Sequence, residues 1–446
     1  MQRMIKIRNK SFYKKKKQPN NENNKRLYNL FRNRINRELK KSKKEFYCHY
    51  FEINKNNIKK TWEGINSIIN TNKSKFSNIH QIKTNNKIYD NTKDIAQVLN
   101  NHFVNVGPKT ENTIPINPKI KHVKYLKNRN QVNFNITRIS KEEVLELIGN
   151  LDNKSVGPQS IPIKMLKIIP DLIAVPLTEI INKSFSTGIF PEALKVSKVI
   201  PIHKGGDTDE LNNYRPISLL SVFDKIIERL LHTRLYKFLE EHKILSSKQF
   251  GFRKNSSTTL AIIEMSERIR ESIENKKYGC GIFIDLSKAF DTINHNILLE
   301  KLEHYGIRGI PLLWFKSYLS NRKQYVYLNG ESSSIEDIIS GVPQGSVLGP
   351  LLFLLYINDL PNISNTLKFF LFADDTHIFC EADSMEKLEI TVNKELRHLY
   401  TWLNVNRLAL NIEKTNFISF HPYNKPLKLR ITLKINKKAI KVKDQI

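Results

Sequence analysis

Two short apolar runs, residues 369–373 and 378–380, flank a pair of acids, Asp374-Asp375. β-rich apolar segments separated by turn residues read as a tight hairpin, and this one carries adjacent carboxylates at its tip. Carboxylates held so closely repel each other, so one protonates unless a cation sits between them. Hard oxygen ligands suit Mg²⁺, which keeps part of its water shell and is shared with substrate phosphates. Standing alone, an Asp-Asp pair is most often an ordinary solvated turn. Its meaning depends on what else the chain holds.

The 446 residues leave room for two or three domains, and a hydrophobic content of 40% supports a sizeable core. A formal charge of +30, from 73 basic and 43 acidic side chains, argues for a polyanionic partner, nucleic acid or an anionic membrane. No uninterrupted apolar run approaches the ~18 residues of a membrane-spanning helix. The start, Met1-Gln2-Arg3, lacks an apolar signal segment. Cys48, Cys280 and Cys380 are too few and too far apart for a disulfide framework, and no Cys/His spacing fits zinc. An intracellular setting, nucleus and/or cytoplasm, is the expectation.

Charge is concentrated at the start: residues 1–60 hold 20 Lys/Arg against four Glu. The basic run at Lys14-Lys15-Lys16-Lys17 reads equally as an import signal, a phosphate-binding arm or a solvated charge run. Leu27, Leu30, Phe31, Ile35 and Leu39 have helical spacing, so residues 1–125 are expected to be a basic helical arm and linker. From about residue 136 the character changes. Ser140 with Glu143 forms a capping box, and helices are expected over 161–187, broken at Pro170 and ended by Gly188. Residues 196–202 read as a strand. A helix begins at Ser221 with Ile226, Ile227, Leu230, Leu231, Leu235 and Phe238 on its apolar face, and another covers 258–275. Residues 281–284 form a short strand, and helices follow at 295–304 and 311–319. Asn329-Gly330 joins a hairpin of 325–328 with 335–339. A helix over 346–358 precedes the acid hairpin, and Ser384 caps an amphipathic helix through Leu403. Strands return at 416–420 and 429–434. Short strands among helices give an α+β fold class.

Asp285 ends the apolar strand Ile282-Phe283-Ile284, 89 residues before Asp374. Together with the hairpin it would complete a three-carboxylate cluster. Two Mg²⁺ ions held there could activate an attacking hydroxyl and stabilise a leaving pyrophosphate. Phosphoryl transfer depends mainly on positioning and electrostatics, so few residues are required.

The surrounding motifs carry a resemblance. Phe283-Ile284-Asp285-Leu286-Ser287-Lys288-Ala289-Phe290-Asp291 resembles motif A of reverse transcriptases. Gly341-Val342-Pro343-Gln344-Gly345-Ser346 with Gly349-Pro350-Leu351-Leu352-Phe353 resembles motif B, and Phe372-Ala373-Asp374-Asp375 resembles motif C. Upstream, Ile200-Pro201-Ile202-His203-Lys204 and Asn213-Tyr214-Arg215-Pro216-Ile217-Ser218 resemble the fingers motifs, followed by Gln249-Phe250-Gly251-Phe252-Arg253. Trp402-Leu403 to Leu410-Asn411, with Lys414-Thr415, resembles motif D. Their order is similar to that of jockey-like non-LTR (LINE) retrotransposons and covers roughly residues 135–446.

That resemblance implies an RNA-directed DNA polymerase acting on an RNA template, a DNA primer and dNTPs. It implies a right-hand polymerase fold: residues 126–183 as an N-terminal fingers extension and 184–446 as the reverse transcriptase domain of fingers and palm. It makes Asp285, Asp374 and Asp375 the catalytic and metal-binding carboxylates for two Mg²⁺, with Mn²⁺ as a substitute. It puts Lys204 and Arg215 on the triphosphate, where an Arg fork suits phosphate oxygens. It makes Phe290 the gate against a 2′-hydroxyl. Gln344 and Gly345 would approach nucleotide and template, Gly345 because backbone must come close. His203, His295 and His377 lack ligand spacing, Lys204-Gly205-Gly206-Asp207 is not a Walker loop, and Asp291 reads as structural. The expected endonuclease is absent and the thumb is truncated, so a fragment with intact site chemistry and poor extension is expected. The alternatives are an inactive nucleic-acid-binding remnant and another RNA-templated polymerase; Phe290 argues against an RNA polymerase.

Overall fold

A computed structural model describes residues 2–18, 21–55, 57–69, 79–84, 87–115, 118–151, 157–158, 161–424, 431–436 and 438–443. The chain forms two compact units, Met1–Ser77 and Asn78–Ile446.

The first unit is helical: α1 (Gln2–Lys17), α2 (Glu22–Ile53), which carries the spacing of Leu27 to Leu39, and α3 (Ile58–Ile69). Ser11 and Ile35 are buried where α1 meets α2, and Asn21 caps α2 by accepting from the Asn24 N–H at 3.2 Å. A Cβ on Gly64 would lie 2.7 Å from the Tyr50 ring, so only glycine lets α3 approach α2 there.

The second unit mixes helix and sheet. It begins with the hairpin β1 (Ile82–Thr84) and β2 (Lys87–Tyr89), then α4 (Thr92–Asn112). The helices α5 (Lys141–Gly149), α6 (Ile163–Leu166) and α7 (Pro170–Thr187) follow. The Ser140–Glu143 capping box forms, Pro170 opens α7, and Gly188 ends it at φ +70°. The strands β3 (Val196–His203) and β4 (Tyr214–Leu219) come next, with α8 (Val222–Glu241) and α9 (Thr258–Glu274) after them. Then follow β5 (Tyr278–Ile284), α10 (His295–His304), α11 (Ile310–Leu319), β6 (Arg322–Leu328), β7 (Glu331–Ser332) and β8 (Glu336–Ile338). Asn329 and Gly330 both take positive φ, as the Asn-Gly turn predicts. The last elements are α12 (Leu348–Ile357), β9 (Lys368–Phe372), β10 (Asp375–Ala382), α13 (Met385–Val405) and β11 (Asn416–Phe420), with the short β12 (Lys434–Ile435), β13 (Lys438–Ala439) and β14 (Lys441–Val442).

Two five-stranded sheets organise this unit: β14-β11-β5-β10-β9, and β4-β3-β6-β7 with β8 beside β6. The first is backed by a large core in which α8, α12 and α13 bury Ile226, Phe353 and Trp402. The second makes a separate core with α4: Ile82, Ile95, Leu99 and Phe103 close over Val199, Tyr214, Val326 and Leu328.

This second core moves a boundary. Residues 1–125 were expected as one arm and linker, but residues from 78 onward pack into the second unit. The reason is the apolar stripe Ile95-Leu99-Phe103 at i, i+4, i+8, which needs a sheet face to cover it. Much of the strand expected at 429–434, and of the loop expected at 153–158, lies outside the described residues. Of the former, Lys434 is strand; of the latter, Gly157 donates to the Leu220 carbonyl at 3.2 Å.

Candidate active site

Antiparallel pairing builds the centre of the first sheet. Thr376 on β10 pairs with Ile284 on β5, and Asp375 pairs with Phe372 on β9. Asp285 and Asp375 are therefore the residues adjoining a register pair on neighbouring strands. Between β9 and β10 stand only Ala373 and Asp374, so the hairpin is as tight as its sequence implies.

That turn is held under constraint. Ala373 has φ +56°, a left-handed conformation that a side-chain-bearing residue adopts at a cost of about 1–2 kcal/mol. The Gln249 carboxamide oxygen accepts from the Ala373 N–H at 3.1 Å and from the Gly251 N–H at 2.8 Å. Backbone bonds clamp the same region: Phe250 donates to the Leu371 carbonyl at 2.7 Å, and Leu371 to that of Lys248 at 2.9 Å. Gly251 is the close-approach residue, since a Cβ there would lie 2.3 Å from the Ala373 nitrogen. Nothing in the sequence marks Gln249 as the buried cap; it was visible only as part of a motif.

Asp285 is strapped from the other side. The Asn411 N–H donates to the Asp285 carbonyl at 2.9 Å, and the Ser287 N–H donates to the carbonyl of Ala409 at 2.8 Å. After Asp285 the chain turns through Lys288 at φ +52° and brings Phe290 against Phe353, with ring centroids 4.6 Å apart and nearly parallel. Gly341 and Val342 donate to the carbonyls of Ile293 and Phe290 at 2.8 and 3.0 Å. The Gln344 amide donates to Asp291 at 2.7 Å.

These pieces surround one cavity of about 800 Å³. Lys204, Arg215, Asp285, Phe290, Gln344 and Asp374 all line it, as do Lys288, Asn411 and Lys414. Asp375 and Gly345 do not: Asp375 is exposed at the start of β10. Gly345, at φ +125°, makes its close approach to the Ser218 carbonyl, where a Cβ would lie 2.6 Å away. Its small size therefore fits a neighbouring strand of the protein itself.

The electrostatics are lopsided. Burial pushes the Asp374 carboxyl above the ordinary range, and the charges of Asp375 and Asp285 push it further, against its own backbone N–H and Arg215. Burial holds the Lys204 ammonium down at about 8, and the neighbouring Lys288 and Arg215 add to this. Asp291 is raised by burial, although Gln344, Lys288 and Lys204 oppose it. The cavity thus holds a carboxyl kept from ionising by burial and like charge, and an ammonium kept from protonating by the same two causes. Among the described residues no three His, Cys, Asp or Glu side chains close around one point. The mutual repulsion at Asp374 is nonetheless what a divalent cation between Asp285 and Asp374 would relieve, so the oxygen donors fit such an ion.

A buried acid holds the start of the helix that follows Gln344. Glu228 on α8 accepts from the Val347 N–H and, at 3.3 Å, from the Leu348 N–H, so a carboxylate caps the start of α12. The Tyr318 hydroxyl also donates to Glu228, and Arg322 reaches Asp224 at 3.5 Å. The available signal was an acid at helical spacing from core residues: Asp224, Glu228, Leu231 and Leu235 share one face.

Residues 202–442 match the family model for reverse transcriptase (RNA-dependent DNA polymerase). The chain is 32% identical over 305 residues to an RNA-directed DNA polymerase from the mobile element jockey of Drosophila melanogaster, covering 66% of this chain and 33% of that protein. It is 29% identical over 291 residues to the corresponding jockey protein of Drosophila funebris, covering 63% and 32%. It is 30% identical over 254 residues to a retrovirus-related Pol polyprotein from the type-1 retrotransposable element R1 of Bradysia coprophila, covering 56% and 25%. The chain spans about a third of the length of the jockey relatives it matches.

Proposed function

The chain belongs to the reverse transcriptase family, and on that premise we propose that it is an RNA-directed DNA polymerase of a jockey-like non-LTR retrotransposon. Its substrates are an RNA template, a DNA primer and dNTPs. The single observation that carries this reading is the shared cavity, lined both by Asp285 and Asp374 and by Lys204, Arg215 and Lys288. A dNTP needs that division: cations for its phosphates and oxygen donors for its metal.

Asp285 and Asp374 are the residues that would hold the divalent ion, Mg²⁺ or Mn²⁺ in its place, with Asp375 adding negative charge beside them. When bound, the ion favours the deprotonated primer 3′-hydroxyl and stabilises the departing pyrophosphate. Lys204, Lys288 and Arg215 take the triphosphate, the Arg fork by paired donors and the lysines as point charges. Phe290, fixed against Phe353, lies beneath the sugar and rejects a 2′-hydroxyl. Gln344 has its amide committed to Asp291, so it braces the gate loop and presents its remaining surface to the nucleotide. In this reading the sheet carrying β5 and β10 is the palm and the sheet carrying β3 and β4 the fingers. Residues 184–446 then form the polymerase domain and 126–183 its extension.

The test is primer extension on an RNA template with Mg²⁺, comparing dNTPs with rNTPs. Asp374→Asn should abolish extension while leaving the fold intact. Equal extension by that variant would overturn the assignment.

A further inference from the structure

Among the described residues none of the first unit lines that cavity, and the surface of the first unit asks for a ligand of its own. On α2 stand Lys25, Arg26, Arg32, Arg34, Arg37, Lys40, Lys41, Lys43 and Lys44, every one exposed, against Glu22, Glu38, Glu45 and Glu52. At 100° per residue, Arg26, Arg34, Arg37, Lys40, Lys41 and Lys44 fall on the side of α2 away from buried Ile35 and the other three flank it, along a length of about 28 Å. Among the described residues of α1 and α2 the ion pair found is Lys41 with Glu45, at a loose 4.0 Å on the surface. Lys6, Lys10, Lys14 and Lys16 of α1 are exposed as well. Like charge gathered this densely destabilises the free protein and calls for a polyanion.

The aromatic side chains indicate which polyanion. Phe12, Tyr13, Phe46 and Trp62 are 45–66% exposed and lie among the cations. Lys15 sits over the Tyr28 ring at 5.0 Å, and Lys43 over Tyr47 at 5.9 Å. Cations interleaved with exposed rings suit an unpaired strand, whose phosphates meet the cations while its bases stack on the rings. A membrane-surface helix needs its apolar residues on one stripe opposite its charges. Here Leu27, Leu30 and Leu39 are exposed at scattered angles, and Ile35 is the residue of α2 that is buried.

We propose that the α1–α2 hairpin is an arm that binds single-stranded RNA through its phosphates and bases, independently of the cavity at Asp374. The proposal goes beyond the polymerase reading, because it concerns a unit outside the residues that match the family.

The experiment uses the full chain and a fluorescein-labelled unstructured RNA of about 30 nucleotides, with anisotropy read from 50 to 400 mM KCl. One variant changes Arg26, Arg34, Arg37, Lys40, Lys41 and Lys44 to Gln, which keeps helix propensity. Each phosphate contact on a single strand contributes about 0.7 to the slope of log affinity on log salt, so losing six lowers that slope by about 4. A second variant exchanges Lys for Arg and Arg for Lys at the same positions and should bind as wild type. Tyr13→Ala with Phe46→Ala should weaken single-stranded RNA about thirtyfold or more and duplex RNA little, given a stacking contribution of ~1–3 kcal/mol per base. An unchanged slope in the Gln variant overturns the proposal. So does tighter binding to duplex DNA or to phosphatidylserine vesicles than to the single-stranded RNA. Asp374→Asn should leave this binding untouched, so failure of the arm and failure of the polymerase reading are separable.

Discussion

Gly251→Ala tests the close packing behind the acid turn. The added Cβ would stand 2.3 Å from the Ala373 nitrogen and 2.9 Å from the Phe372 carbonyl carbon, whereas ordinary contact begins near 3.4 Å. Both obstacles are backbone, so no side chain can swing away. The turn must retreat by about 1 Å or the segment from Gln249 must, and that segment is pinned by Phe250 N–H to Leu371 O at 2.7 Å. Asp374 directly follows the displaced residue. A shift of this size in a reacting group costs on the order of 10² in rate, or about 2.7 kcal/mol of transition-state stabilisation. Overpacking should remove a further ~1–3 kcal/mol of folding stability. The assays are primer extension on RNA, isothermal titration of dNTP in Mg²⁺, and urea unfolding. We expect extension reduced about a hundredfold in a chain that still folds. A variant that folds normally and extends at the wild-type rate would refute the claim that this contact sets the position of Asp374.

Other expectations follow from the same geometry. Asp374 has a raised folded-state pKa, so its contribution to stability is present below the usual carboxylate range and lost as pH rises through the folded value. Asp374→Asn should therefore raise Tm near pH 7.5 in EDTA, and Mg²⁺ should raise the Tm of the wild type more than that of the variant. Because Lys204 titrates at about 8, dNTP affinity should fall as pH rises through that value, and Lys204→Gln should flatten the profile. Phe290→Val should narrow the preference for dNTPs over rNTPs in single-nucleotide extension, with unfolding followed in parallel because the Phe353 stack is lost. Lys301 is fully buried and bonds Asp359 and the Tyr356 carbonyl, both at 2.5 Å. Lys301→Met strands the Asp359 carboxylate and should cost ~3–5 kcal/mol in urea unfolding, part of it recovered by adding Asp359→Leu.

Local signals were strong wherever the chemistry of a single residue decides the outcome. Pro170, Gly188, Ser384 and Asn329-Gly330 each act through their own backbone preference or side-chain cap, so the elements they bound were legible. The apolar faces of α8 and α13 were legible for a similar reason, since period alone reveals them. The pairing of Asp285 with Asp374 could be suspected from two acids at the ends of apolar strands, but bringing Lys204 and Arg215 to them was legible only through resemblance, because those residues end strands of a different sheet and no local rule spans that distance. Lys288 sat inside a quoted motif, yet its place beside Lys204 depends on a left-handed turn at a residue that is not glycine. Gln249 and Glu228 were missed because a polar residue that caps a distant backbone looks, in sequence, like any polar residue near a core. The boundary of the helical arm was misread because α4 is Asn-rich, and its apolar stripe has meaning only against a sheet built from residues 196–338.

That shared core also bears on how the protein can be handled. A chain trimmed to the residues that match the family would lose α4, β1 and most of β3, and lay bare Val326, Leu328 and Tyr214 on the face of a broken sheet. Such a face is an invitation to self-association during expression. A soluble polymerase fragment would have to start upstream of Ile79, well before the first recognisable motif. The stretch that looks most dispensable by similarity is what keeps the recognisable part from sticking to itself.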